Sequence, residues 1–287
     1  IDDNSKLKPL FKKKNIICKY NKKNMGPSYS RNIGIQNSKK QILFFLDSDT
    51  FLINGGITSI KNFYDKENNL NYILNGVVSL KPLNPNFFTN YKAINEYFWY
   101  LEQKKKEGYQ ILNTRIGCIR AKLIKGKSFK FDESFKDASM EDHKFSNHLK
   151  NLKKKITSKL MVKHEFPSFL KTTKLYFKRS RDWVFLLFNK NTNFNSGGGT
   201  SKKNALLSFF SFVFLSSTII SSFDTRMSIL SLTLLFVFYL LDIRLILFVI
   251  KKKKIYFLIP FLIYHLYLNI IIFLGAIFGL IKYSFKT

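Results

Sequence analysis

Cysteine is scarce: two residues, Cys18 and Cys118, in a chain of 287. Each sits in an apolar, strand-like run, with no CxxC spacing and no clustered His. That excludes a disulfide framework and a cysteine zinc site, and it predicts buried free thiols in a reducing compartment. Arginine is also scarce. The net charge is +30, yet only seven arginines contribute (31, 115, 120, 179, 181, 226 and 244) and lysine supplies the rest. Surfaces that read phosphate backbones favour arginine forks. The positive charge is therefore read as suited to an anionic lipid surface rather than to nucleic acid, which is not expected as a partner.

What the chain does have is an unbroken apolar run that stops at two acids, Ile42-Leu43-Phe44-Phe45-Leu46-Asp47-Ser48-Asp49-Thr50. Such a run fits a buried parallel strand covered on both faces. The acids fall at its carboxyl end, where open α/β sheets place ligands. Strand alternation turns Asp47 and Asp49 to one side. Two converging carboxylates repel unless a cation joins them, and hard oxygen donors suit Mg²⁺ or Mn²⁺ holding phosphate oxygens. The plain alternative is a polar turn with aspartate capping.

Other elements can be read in chain order. The chain opens on Ile1 rather than Met, and Ile1-Asp2-Asp3-Asn4-Ser5 reads as a strand end and turn, so a first strand is expected to precede it. Residues 15–20 read as a short strand. Gly26-Pro27 marks a turn, with Ser28 as a helix cap and the helix ending near 37–38. Residues 72–80 read as a strand, 91–106 as a helix, and 111–121 as extended. A turn falls at 131–135, a helix runs from Glu141 to about 152, and residues 159–164 close as a strand. Strand, turn, helix, strand is the pattern of an α/β parallel sheet. This places a catalytic domain at 1–190. Residues 191–203, with their glycine run at 197–199, read as a flexible linker.

Residues 204–287 read as membrane. Residues 205–223 carry no charge, residues 227–241 form a second apolar run, and 255–281 a third. A span needs about 20 apolar residues. The first and last runs are spans; the middle one can span, with Asp242 to Lys254 lying in the interface, so two or three crossings stay open. Lys202, Lys203 and Lys251 to Lys254 place these flanks, and the catalytic domain, on the cytoplasmic side.

Five segments together resemble the family 2 glycosyltransferases: Asp2-Asp3-Asn4-Ser5; Asn24-Met25-Gly26-Pro27-Ser28-Tyr29-Ser30-Arg31-Asn32-Ile33-Gly34; Asp47-Ser48-Asp49; Phe131-Asp132-Glu133-Ser134-Phe135; and Glu141-Asp142. The resemblance spans residues 1 to about 190. It implies the GT-A fold, a mostly parallel sheet flanked by helices, followed here by transmembrane helices. It further implies an inverting transferase that moves a sugar from a nucleotide-diphosphate donor to a hydroxyl acceptor. That acceptor is a glycan or a lipid-linked molecule, in cell-envelope synthesis at a bacterial cytoplasmic membrane. By resemblance Asp3 contacts the nucleotide base, and Arg31 with its helix start contacts the nucleotide side. Asp49 binds the metal, and Asp47 contacts ribose or a metal-bound water. Asp142 is the general base, and Glu141 positions the acceptor.

Each of these residues also has a plainer reading. Asp3 can cap a turn, and Arg31 can pair with a nearby acid. Glu141 and Asp142 can be first-turn acids of a helix. His164 either touches metal or diphosphate, or is structural. Arg181, in Arg179-Ser180-Arg181-Asp182-Trp183, matches imperfectly the Gln-x-x-Arg-Trp of processive relatives. It either steadies the diphosphate, or its segment is an interfacial helix with Trp183 and Phe185 dipping into lipid. The rival functions are transfer onto polyprenyl phosphate and a non-enzymatic basic membrane-binding protein.

Overall fold

The computed structural model describes residues 1–6, 16–66, 71–105, 111–135, 141–188 and 201–285. The chain divides into two compact units. One holds Ile1–Val77 and Tyr109–Val162, the other Val78–Gly108 and Lys163–Thr287.

In the first unit, α1 (Pro27–Asn37) precedes β1 (Ile42–Leu46), β2 (Thr50–Leu52) and α2 (Gly56–Lys66). Then come β3 (Tyr72–Val78), β4 (Ile116–Arg120), α4 (Glu141–Ser146) and β5 (Lys153–His164). α3 (Phe87–Lys105) lies in the second unit. The five strands form one sheet in the order β1-β4-β3-β5-β2. The β1–β4 and β3–β4 ladders are both antiparallel. An isolated bridge, Asp2 to Tyr20, is parallel, and it joins the two short extended segments expected at the start. β1 is thus antiparallel to its neighbour, not the parallel strand its apolar run suggests. β1 stands at the end of the strand order, and it is not buried on both faces: only Leu43 is buried, and Leu46 is 43% exposed. An edge strand has one neighbour and leaves one row of backbone N–H and C=O groups unpaired within the sheet.

The core of this unit joins Leu43 of β1, Ile73 of β3 and Ile119 of β4 to Ile35 of α1 and to Phe131 and Phe145. Phe131 and Phe145 stack face to face with ring centres 4.0 Å apart. Asn32 of α1 reaches the same turn: its amide donates to the Phe131 carbonyl and its side-chain oxygen accepts from the Phe131 amide, both at 2.9 Å. Three pieces distant in sequence are thus fastened at one end of β1.

Several local readings shift. Pro27, not Ser28, opens α1; Gly26 takes the cap position with φ 88°, and Ser28 is buried inside the helix. Proline suits the first helical position because it lacks an amide hydrogen there. The Glu141 helix is shorter than expected, ending at Ser146 and passing into a 3₁₀ turn at Asn147–Leu149. α2 is a helix that pattern reading passes over; its Ile60 and Tyr64, four apart, face the core.

The second unit holds α3, α5 (Phe169–Phe188), α6 (Lys202–Ile220), α7 (Met227–Leu241), α8 (Ile243–Lys252) and α9 (Leu258–Ser284). Ser201 caps α6, accepting from the Asn204 amide at 3.1 Å. The glycine run at 197–199 lies outside the described residues. Residues 202–220 and 255–284 form helices long and apolar enough to cross a membrane. α7 and α8 together pass the same test but bend by 67° at Asp242. Asp242 is buried there, held by Lys203 at 2.5 Å and by His265 at 2.9 Å. Its buried charge is thus compensated within the protein. Leu245 and Val249 of α8 pack with Tyr91, Phe261 and Leu268.

Candidate functional site

Asp47 leaves β1 on a tight turn. The Thr50 amide donates to the Asp47 carbonyl at 3.2 Å, and the Thr50 hydroxyl donates to it at 2.6 Å. The strand ends here, so strand alternation no longer fixes Asp49 relative to Asp47. Asp49 is exposed, and its charge is near enough to act on Asp47. Burial raises the Asp47 pKa, and Asp49 adds to it, against the pull of Arg31 and Arg115.

Arg31 projects from α1 and holds two of the acids. Its Nη2 lies 3.2 Å from Asp47 Oδ1, and its Nη1 lies 2.6 Å from Glu141 Oε1. Phe131 lies beneath it, with the guanidinium carbon 5.6 Å from the ring centre. The expected fork on Arg31 exists, and its present partners are these two carboxylates. Glu141 is 3% exposed. Asp142 follows on the first turn of α4, where its carboxylate accepts from the His143 amide at 2.8 Å. Burial raises its pKa and Glu141 adds to the shift; His143 and Arg31 oppose it. A carboxylate in that condition takes up a proton more readily than a solvated one.

Asp3 is used locally. Its carboxylate accepts from the Asn21 side chain at 2.7 Å, the Met25 amide at 2.8 Å and the Gly26 amide at 2.7 Å. Burial opposes ionisation, but these three donors prevail and hold its pKa below the ordinary value. The amides leading into α1, expected to face phosphate, are thus turned to Asp3.

The structure gathers Arg31, Asp47, Asp49, Glu141 and Asp142 in the first unit, with Asp3 at the start of the same helix. The other two candidates belong to the second unit. His164 ends β5, is buried, and packs edge-on against Phe166 with ring centres 4.4 Å apart. Arg181 lies on α5 and pairs with Asp182 at 2.7 Å. Trp183 is buried in protein rather than dipping into lipid, and α5 packs against α9. The Phe185 side chain lies outside the described residues.

Among the described residues no group of three or more His, Cys, Asp or Glu is placed to hold a metal ion. Asp47 and Asp49 nonetheless offer oxygen donors on one turn, and Mg²⁺ is commonly bound by one or two carboxylates plus water and substrate phosphate. The donor set fits such an ion. Two residues were not singled out from sequence. Asn32 follows Arg31 directly and clamps the Phe131 turn; its amide also donates to Glu133 at 2.9 Å. Arg115 adds positive charge near Asp47, and its carbonyl accepts from the Asp47 amide at 3.3 Å.

Residues 1–128 match the family model described as Glycosyl transferase family 2. Glu141 and Asp142 lie beyond that stretch. No curated protein matches the chain. Among solved structures, S. aureus TarS is 16% identical with a TM-score of 0.36, covering 67% of this chain and 32% of that one. The TarS 1-349 structure in complex with UDP-GlcNAc is 17% identical with a TM-score of 0.37, covering 93% and 74%. The chain thus spans about a third of the first of these proteins. The matched stretch contains the Asp3, Arg31 and Asp47-Ser48-Asp49 segments, and over residues 1–128 the chain is similar to the family 2 glycosyltransferases.

Proposed function

We propose that the chain transfers a sugar, with inversion, from a nucleotide-diphosphate donor to a hydroxyl acceptor. The observation that carries this reading is the double ion pair of Arg31. It ties Asp47, on the donor side, to Glu141 beside Asp142, on the acceptor side. Inversion asks for a base on the face opposite the leaving diphosphate. Asp142 takes the acceptor proton as the acceptor oxygen bonds to the anomeric carbon. The bond from that carbon to the diphosphate breaks, and the diphosphate leaves with the electron pair. Glu141, fixed by Arg31, orients the acceptor. Asp49 and Asp47 would hold Mg²⁺ or Mn²⁺, which when bound offsets charge on the diphosphate. His164 and Arg181 are assigned no step.

The apolar helices make the chain a multi-pass membrane protein in this reading, and the lysines at 202, 203 and 251–254 assign the catalytic unit to the cytoplasm. Membrane lipid is then a partner, and a glycan or lipid-linked molecule of the cell envelope is the acceptor.

The test is a screen of UDP-, GDP- and dTDP-sugars for thermal stabilisation, each with and without Mg²⁺ or Mn²⁺. A bound ligand raises apparent stability by mass action. One nucleotide series should stabilise the protein in a metal-dependent way. No shift with any of them would remove the donor assignment.

A further inference from the structure

The second unit contains a cavity of about 590 Å³ walled by four consecutive lysines, Lys251 to Lys254, together with Asn90 and Phe257. None of its lining residues is an acid. Lys253 serves the wall itself: its ammonium donates to Asn90 at 2.7 Å and lies 5.4 Å from the centre of the Phe257 ring. Lys251, Lys252 and Lys254 are exposed. Three exposed lysines border one cavity whose lining holds no acid, which makes its mouth a place of positive potential that favours an anion.

The walls beside the cavity identify the anion. α8 ends at Lys252 and leaves Leu247 and Ile250 about half exposed. Beyond the lysines, Ile255, Tyr256, Ile259 and Ile263 are each 64–73% exposed, on the segment that continues into the long apolar α9. Exposed aliphatic side chains in such a series fit hydrocarbon, not water. The lysines therefore stand at the boundary of an apolar wall, the depth at which lipid phosphates lie.

We propose that this cavity binds the phosphate headgroup of an anionic membrane phospholipid. Lys251, Lys252 and Lys254 supply the charge, Lys253 fixes the wall, and the acyl chains lie along Ile255 and Ile259. The inference rests on the membrane reading of α8 and α9 and is independent of the sugar-transfer reading.

The experiment uses the full chain purified in detergent, titrated with an equimolar mixture of phosphatidylglycerol and phosphatidylcholine and read by native mass spectrometry. The unaltered chain should retain phosphatidylglycerol in preference. A lysine near an anionic surface contributes roughly a five-fold change in binding. The triple variant Lys251→Gln, Lys252→Gln, Lys254→Gln should thus lose on the order of a hundredfold in phosphatidylglycerol affinity. Arginine at the same three positions should preserve the preference. A control triple, Lys61→Gln, Lys150→Gln, Lys159→Gln, removes equal charge from the first unit and should change little. Equal losses in both glutamine triples, or equal retention of the two lipids, would overturn the proposal. Inorganic phosphate should compete poorly against the lipid on the unaltered chain. Full displacement by phosphate at lipid-equivalent concentration would assign the cavity to a soluble phosphate instead, and that arm does not depend on how any variant folds.

Discussion

Arg31 Nη1 stands 2.6 Å from Glu141 Oε1, joining two residues 110 positions apart. Glu141 is 3% exposed, and this pair compensates its buried charge. Breaking a buried pair from one side leaves an uncompensated charge and costs about 3–5 kcal/mol. Arg31→Met should therefore lower stability by that order, measured by thermal or denaturant unfolding. Adding Glu141→Gln to the same chain should recover much of the loss, because the stranded charge is gone. Equal destabilisation in the single and double variants would mean that the loss does not come from the Arg31–Glu141 pair but from the Asp47 pair or from packing on Phe131.

Asp142 should behave differently. Asp142→Asn keeps the shape and removes the base, so turnover should fall at least about 10²-fold with donor affinity little changed. The pH profile adds a sign. The reactive form is the carboxylate, and burial raises its pKa. Activity should thus fall as pH drops through that raised value, at a higher pH than an ordinary aspartate would give. The residual activity of Asp142→Asn should lack this acidic limb.

Much of this site was legible because its motifs are local in sequence. Asp47-Ser48-Asp49 follows an apolar run, and Glu141-Asp142 opens a helix; both patterns survive without knowledge of neighbours. The partner of Arg31 was not legible, since it depends on the long-range stacking of Phe131 on Phe145 that brings α4 to α1. Asn32 was missed for the same reason: a buried amide that clamps a distant turn looks like any helix-surface asparagine. β1 differs from its reading because an unbroken apolar run carries no sign of strand direction or of what packs on each face. α2 is short, and its two buried positions are too few to stand out beside Asn and Gly flanks. In the second half, hydropathy marked the apolar segments, but not that α3 and α5 join their compact unit.

Asp49 should govern the cation. Replacing it by Ala removes the exposed carboxylate next to Asp47 and should abolish the metal-dependent part of nucleotide binding in a calorimetric titration. Chelation of the unaltered protein should reproduce that loss. Unchanged affinity in Asp49→Ala with Mg²⁺ or Mn²⁺ present would take Asp49 out of the metal role.

Asp132 offers a check on acid stability. Lys144 lies 2.5 Å away, and the Ser134 amide also donates to the carboxylate; together they lower its pKa to about 2. A folded-state pKa depressed from 3.8 contributes stability above the unfolded value, lost as pH falls from there toward about 2. Asp132→Asn should therefore be less stable than the unaltered chain at neutral pH and equal to it below about pH 2. The pair is partly exposed, so added salt should shrink the neutral-pH difference.

Gly275 and Gly279 decide how closely α9 approaches α5. They lie four apart and so on one face of α9. A Cβ at Gly275 would meet the Phe177 carbonyl oxygen at 2.5 Å, and one at Gly279 the Arg181 carbonyl oxygen at 2.8 Å. Both obstacles are backbone, which cannot rotate aside as a side chain can. Small residues at this spacing allow apolar helices to pack at backbone distance. α5 bears Lys171, Lys174, Lys178, Arg179 and Arg181, and buries Trp183 and Val184. Its hold on α9 therefore comes from shape more than from charge. Gly275→Leu should force the helices apart at a cost of about 1–3 kcal/mol, seen as a lower melting temperature and faster proteolysis within α5. Leu280→Ala, at a 42% exposed position of the same helix, should leave both readouts nearly unchanged. Equal effects from the two substitutions would show that close contact at the glycines is not what binds α5 to α9.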